Sequence, residues 1–144
     1  CNMFVAGFIG SPQMNFIDAE CKVEGDKVSL VTGPHTIVLP AAKAKALKDG
    51  GYAGKAVVLG IRPEDLHDEA EFIQASPDTV IEAKIRVYEM LGAEALLYFD
   101  YEGSSMTARV DPKTSARSGD TVKFALDADK IHVFDKETEK TITN

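Results

Sequence analysis

The chain has 144 residues, 44% of them apolar and 27% charged, and carries a formal net charge of −7 from 23 acids against 16 Lys and Arg. That is long enough for one ordinary domain with a sizeable core, and too evenly mixed for disorder. Scattered bases under an acidic total disfavour a nucleic-acid interface, which needs clustered positive charge, so no nucleic-acid partner is expected; no apolar run approaches the ~20 residues that span a bilayer, so no direct membrane insertion is expected.

The opening stretch NMFVAGFIGSP places Phe4, Val5, Phe8 and Ile9 at helical spacing before Gly10, Ser11 and Pro12 stop the pattern. It predicts a short N-terminal helical segment. Because no initiator methionine or apolar signal core precedes it, residues 1–12 read as the tail of a domain absent from this chain. From Asn15 the period changes to two. Ile17, Ala19, Cys21 and Val23 alternate with Asp18, Glu20, Lys22 and Glu24, the pattern of a half-buried strand. A turn follows, then strands over 28–31 and 35–39 separated by Gly33-Pro34.

Residues 41–48, AAKAKALK, are good helix formers but too few for more than one or two turns. After DGGYAG comes a strand over 56–62, then PEDLHDEAEF, an acidic, turn-rich excursion with about one helical turn. A long strand is expected over 79–90, with Gly92 marking a bend or bulge. Strands follow over 95–101, 104–110, 121–126 and 131–134. Roughly seven to nine short strands with almost no helix favour a small antiparallel barrel or sandwich over a parallel α/β sheet.

Little of this carries chemistry. GGYAGKA resembles a phosphate-binding loop, but Asp49 stands where the first glycine belongs and Ala56 where a magnesium-ligating hydroxyl belongs, so a turn before a strand is expected. Neighbouring acids such as Glu64 with Asp65, or Asp68 with Glu69, cannot face each other across a sugar and read as a solvated surface. Tyr98 alternates with Phe99 and Tyr101, so the aromatic strand is read as core and not as a stacking platform. His35, His67 and His132 are isolated, and Cys1 and Cys21 form no CxxC pair, so no metal site is expected. A disulfide between the cysteines is unsupported, and a reduced, cytosolic setting is the default. No catalytic frame emerges.

The stretch VVLGIRPEDL (57–66) is the most coherent. Pro63 lacks an amide donor and biases Arg62 to extended geometry, ending the strand with the guanidinium held in one direction. Glu64 starts a turn where a carboxylate meets backbone amides, and Glu89 or Glu94, around the bend at Gly92, is the expected bidentate partner of Arg62. That predicts a structural network near an interdomain or dimer contact.

Four ordered blocks, FVAGFIGSPQMNF (4–16), VVLGIRPEDL (57–66), EMLGAEALLYF (89–99) and GDTVKFALDADKIHVFD (119–135), resemble the C-terminal region of ATP-binding subunits of bacterial sugar-import ABC transporters, the maltose and glycerol-phosphate importer type. The resemblance covers essentially the whole chain. It implies a mainly β, OB-type barrel of the transport-associated (TOBE, molybdate-binding-like) kind over residues 13–144, after residues 1–12 as the end of the nucleotide-binding domain. Phe8, Gly10, Ser11 and Pro12 match the hinge-like segment, and Arg62, Pro63, Glu64, Gly92 and Glu94 the barrel blocks. The family's ATP and magnesium belong to the domain that this chain lacks, so neither catalysis nor a cofactor is implied for it. What is implied is a regulatory and dimerisation domain that pairs as a homodimer through the full-length ATPase. That ATPase meets permease subunits on the cytoplasmic face of the membrane, and a regulatory protein or small molecule is a further possible partner. The alternative is a small-ligand barrel of the molybdate-binding type, holding an oxyanion or a sugar.

Overall fold

The computed structural model describes residues 14–143. The predicted opening helix, with Phe8, Gly10, Ser11 and Pro12, lies outside the described residues. The first part of the chain forms β1 (Asn15–Glu24), β2 (Lys27–Thr32), β3 (His35–Val38), α1 (Ala41–Asp49) and β4 (Ala56–Ile61). A 3₁₀ turn, Pro63–Asp65, leads into β5 (Leu66–His67), α2 (Ala70–Ala75) and a second 3₁₀ turn, Pro77–Thr79. Then come β6 (Val80–Leu91), β7 (Glu94–Tyr101), β8 (Ser104–Val110), β9 (Thr121–Leu126), a 3₁₀ turn Ala128–Lys130, β10 (His132–Asp135) and β11 (Thr141–Thr143).

The mainly β, antiparallel class holds, with the strands arranged in two sheets around one core. The first runs β11-β10-β4-β1-β2-β3 and the second β5-β9-β6-β7-β8. Two-residue alternation builds both. Ile17, Ala19 and Cys21 of β1 face inward with Leu30, Leu59 and Ile61, and meet Ile81, Ile85, Leu97 and Phe99 of the second sheet. Phe99 and Phe124 stack with centroids 4.9 Å apart at the centre. A fully buried Leu, Ile or Phe contributes about 1.5–3 kcal/mol, so this shared cluster is what the two sheets fold around. Phe99 and Tyr101 are buried while Tyr98 is half-buried, which bears out the core reading of the aromatic strand.

Several elements differ from expectation. The helix at 41 has nine residues because Ala44 and Leu47 reach the core, and tertiary packing supports what propensity alone does not. The acidic excursion is not all turn: Leu66 and His67 pair with Leu126 and Ala125, an edge strand too short for any periodicity to show. β11, the triplet Thr141–Thr143 around Ile142, is equally hidden. Gly92 marks a bend, one of the two forms expected of it, in a two-residue hairpin turn with φ 62°, and the ladder's bulge lies instead within β6 between Ile85 and Val87. The opposite hairpin, Glu102-Gly103, has both central residues at positive φ, as its mirror-image turn requires.

A buried side chain joins the sheets. Asn15, 2% exposed at the start of β1, donates from Nδ2 to the Thr107 carbonyl and accepts the Thr107 N–H at Oδ1, both at 2.8 Å. One amide thus imitates a rung of ladder between β1 and β8. Asn15→Ala leaves both Thr107 backbone groups buried without partners, and is expected to cost about 2–4 kcal/mol in a urea titration, well above the effect of a surface substitution.

Candidate functional site

The RPEDL stretch is where the chain leaves one sheet for the other. β4 is an inner strand of the first sheet, and β5, five residues beyond its end at Ile61, is the edge of the second. Between them Arg62 is extended (φ −74°, ψ 152°), as the following proline demands, and buried Pro63 opens the 3₁₀ turn. The turn closes with the Asp65 N–H on the Arg62 carbonyl at 3.0 Å.

A second crossing runs beside it in the opposite direction. β9 ends at Leu126 in the second sheet, and Asp127–Ile131 returns the chain to β10 in the first. The crossings are bonded to each other. The Asp127 N–H donates to the Asp65 carbonyl at 3.0 Å, and the Thr79 hydroxyl donates to the Leu126 carbonyl at 2.8 Å. Arg62 Nη1 lies 3.2 Å from His132 Nε2, so the guanidinium spans from the first crossing to the first residue of β10.

This corrects the expected partner of Arg62: it meets His132, not Glu89 or Glu94. The acids go elsewhere. Arg109 on β8, unmarked in the sequence reading, pairs through Nε with Glu94 at 3.2 Å and through Nη1 with Glu64 at 3.7 Å. Glu64 and Glu94 are therefore brought together, with Arg109 between them. Glu89 lies farther out on the β6–β7 hairpin, where it accepts the Tyr98 hydroxyl at 3.1 Å, and Gly92 forms the hairpin's tip. The missed residues, Arg109, His132, Asp127 and Asn15, occupy ordinary strand and turn positions. Only the pairing of distant strands makes them neighbours.

Electrostatically the crossing is acidic. Burial, reinforced by Glu64 and Asp127, raises the Asp65 carboxyl above its ordinary value, while Lys130 and Arg62 partly oppose the shift. Nothing here forms a nucleophile with its base. The GGYAGK segment is the turn between α1 and β4, with the Gly50 N–H on the Ala46 carbonyl and the Lys55 ammonium over the Tyr52 ring. A phosphate cradle needs those amides at the head of a following helix, and here a strand follows, so the residues present do not fit ATP.

Two outcomes follow from this geometry. The Glu64–Arg109–Glu94 cluster is about half exposed, so Arg109→Ala is expected to cost no more than about 1 kcal/mol by urea titration, less than Asn15→Ala. For Asp65 the folded-state pKa lies above the unfolded one. Its contribution is favourable below the unfolded pKa and is lost as pH rises through the folded pKa. Asp65→Asn should therefore raise the melting temperature at neutral pH, and the gain should vanish on acidification below the carboxylate range. A loss of stability at neutral pH would contradict this assignment.

The geometry agrees with comparisons across known proteins. The MalK OB fold domain matches residues 10–66 and the TOBE domain residues 59–134, so the two overlap on the stretch that crosses between the sheets. The oligosaccharides import ATP-binding protein MsmX of Bacillus subtilis (strain 168) is 41% identical over 141 residues, covering 98% of this chain and 38% of its own length. The multiple sugar-binding transport ATP-binding protein MsmK of Streptococcus mutans is 38% identical over 141 residues, covering 98% of this chain and 37% of its own. The chain thus spans little more than a third of these curated relatives. Among solved structures, the cytoplasmic molybdate-binding protein ModG, with molybdate bound, shares the fold at a TM-score of 0.60 and 16% identity, over 83% of this chain and 94% of that one. With a TOBE domain matched over 59–134 and a MalK OB fold domain over 10–66, the chain belongs to the TOBE domain family found in the ATP-binding proteins of sugar importers.

Proposed function

We propose that the chain is the non-catalytic, C-terminal regulatory and dimerisation domain of the ATPase subunit of a bacterial carbohydrate ABC importer. The observation that carries this reading is the alignment of 98% of the chain with 38% of a sugar-import ATP-binding protein, within a region matched by the MalK OB fold and TOBE domains. The phosphate chemistry, with ATP and magnesium, belongs to the remainder of the parent subunit. Permease subunits are the partners of that remainder, which holds the domain at the cytoplasmic face of the membrane. Among the described residues no helix is long and apolar enough to cross a membrane.

Dimerisation has a surface to work with. Among the described residues, the large apolar side chains that stand exposed, Val87, Met90 and Leu91, lie on the outer part of β6, beside the turn at Gly92. Apolar residues gathered on one hairpin suit a contact with a second copy better than a solvated surface. For the small-ligand alternative the clefts differ: one of about 500 Å³ carries Lys55 and Lys136 beside Asp135 and Glu137, and another does not suit an oxyanion. The open cleft of about 590 Å³ beside α2 is lined by Asp68, Glu82 and Asp120 against the single base Lys123, a field that repels oxyanions.

The isolated chain should give no saturable heat when titrated calorimetrically with magnesium and ATP, and by sedimentation equilibrium should self-associate weakly, less so after Leu91→Glu. Saturable micromolar binding of ATP would overturn the non-catalytic assignment. Self-association unchanged in Leu91→Glu would remove the hairpin from the contact.

A further inference from the structure

One part of the first sheet's outer face is apolar, around the start of β1 and the centre of β4, while the outward Glu20, Lys22 and Glu24 farther along β1 are exposed and charged. Alternation sends Ile17, Leu59 and Val133 into the core, so Phe16, Val58, Gly60 and Phe134 point away from it. Strand register lines these outward residues up. Phe134, Val58 and Asp18 form one row across β10, β4 and β1, and His132, Gly60 and Phe16 form the next. Met14 closes the patch over Gly60: a Cβ at that glycine would lie 2.6 Å from the methionine Sδ and 2.8 Å from a Phe134 ring carbon. Phe16 and Phe134 meet edge to face at 5.9 Å. An antiparallel sheet with one face on the core normally turns a polar face to water. Here Met14, Val58 and Phe134 are only 6%, 5% and 2% exposed on the side away from the core, and form a second apolar cluster of their own.

We propose that this outer face is the docking seat for the apolar stretch Phe4–Ile9 of the same chain. The chain enters the described structure on the patch itself, at Met14. The stretch supplies Phe4, Val5, Phe8 and Ile9, large apolar side chains spaced to share one side. Gly10, Ser11 and Pro12 lie between it and Met14, residue types that allow the chain to reverse direction. The five residues Gly10–Met14 reach up to ~17 Å when extended. A face three strands wide, at ~4.8 Å per strand, measures ~10 Å across, so the stretch can fold back over the patch. The link between residues 4–9 and the barrel is then a packed apolar contact and not a free tether. Arg62 and His132 lie at its edge, which places the sheet crossing next to that contact.

The chain contains no tryptophan, so a single indole reports its surroundings without background. Phe16→Trp puts that reporter on the patch, in the full 144-residue chain. Its emission is expected to be that of a buried indole, independent of protein concentration. It should shift to the red in the Phe8→Asp background, and to a lesser extent with the milder Phe8→Ser, while the far-ultraviolet circular dichroism of the sheets is retained. An exposed indole in the parent chain would overturn the proposal. So would a buried indole that neither Phe8 variant moves, which would assign the cover to another segment. Burial that appears only at high concentration would assign it to a second copy. If Phe8→Asp abolishes the sheet signal, the reading is taken from Phe8→Ser, where an unshifted spectrum counts against the seat.

Discussion

Two sheets that share one core must exchange chain, and this fold does so at one place in both directions. Every residue between Ile61 and Leu66 has left one ladder without having joined the next, so its backbone polar groups must find partners outside regular pairing. The second crossing, from Leu126 to His132, has the same need. Laying the two side by side meets both requirements: the Asp127 N–H satisfies the Asp65 carbonyl, and Leu66 opposite Leu126 begins the ladder immediately. Pro63 contributes by having no N–H to satisfy at the sharpest point, and by fixing Arg62 extended so that its side chain spans the gap toward His132. Because β5 is only two residues long, its register against β9, and hence the placement of β6 beyond, depends on where this crossing ends.

A second junction, at the start of β1 where Asn15 lies opposite Ile61, works by different physics. Asn15 is nearly inaccessible, and its side-chain amide presents one donor and one acceptor at the spacing of a peptide group. It therefore binds Thr107 as a neighbouring strand would, without requiring the backbones of β1 and β8 to approach to ladder distance. Apolar packing alone would let the sheets slide over each other, since dispersion has little directional preference. Two hydrogen bonds at 2.8 Å fix the register between them. Tyr101 adds a third constraint, donating its hydroxyl to the Thr32 carbonyl at 2.9 Å beside His35, and so ties β7 to the β2–β3 turn.

What the sequence discloses follows the range of the interactions involved. Period-two alternation reported β1, β6, β7, β8 and β9 within a few residues, because each long strand has one face on the core. β5 and β11 have no period to show, being two and three residues long, and exist only because a partner strand is present. Helix α1 was underestimated for the same reason, since Leu47 needs the core to sustain its turns. At the site, the local consequence of Pro63 for Arg62 could be read directly. The identity of the partner could not, because His132 is 70 positions away and Arg109 looks like any outward-facing residue of an alternating strand. The expected pairing with Glu89 or Glu94 relied on charge alone. Two sheets meeting at a crossing gave Glu94 and Glu64 a common base and gave Arg62 an imidazole.

The same crossing explains why a structural turn resembles a functional motif. Chain that has left a ladder is best served by short acidic side chains, which accept backbone amides, and Asp127 does this by receiving the Asp129 N–H. Bringing two such turns together concentrates Asp65, Asp127 and Glu64, so topology alone gives a partly desolvated carboxyl with a raised pKa. A perturbed carboxyl beside an arginine and a histidine would ordinarily suggest a catalytic centre. Here the Asp65 carbonyl, the Arg62 side chain and the turn itself are bonded to protein, so the backbone of the crossing is committed to holding the two sheets together. The arginine, proline and acids of 62–65 thus set the hand-over between sheets, and whatever the domain binds must use the faces and the hairpin that this hand-over positions.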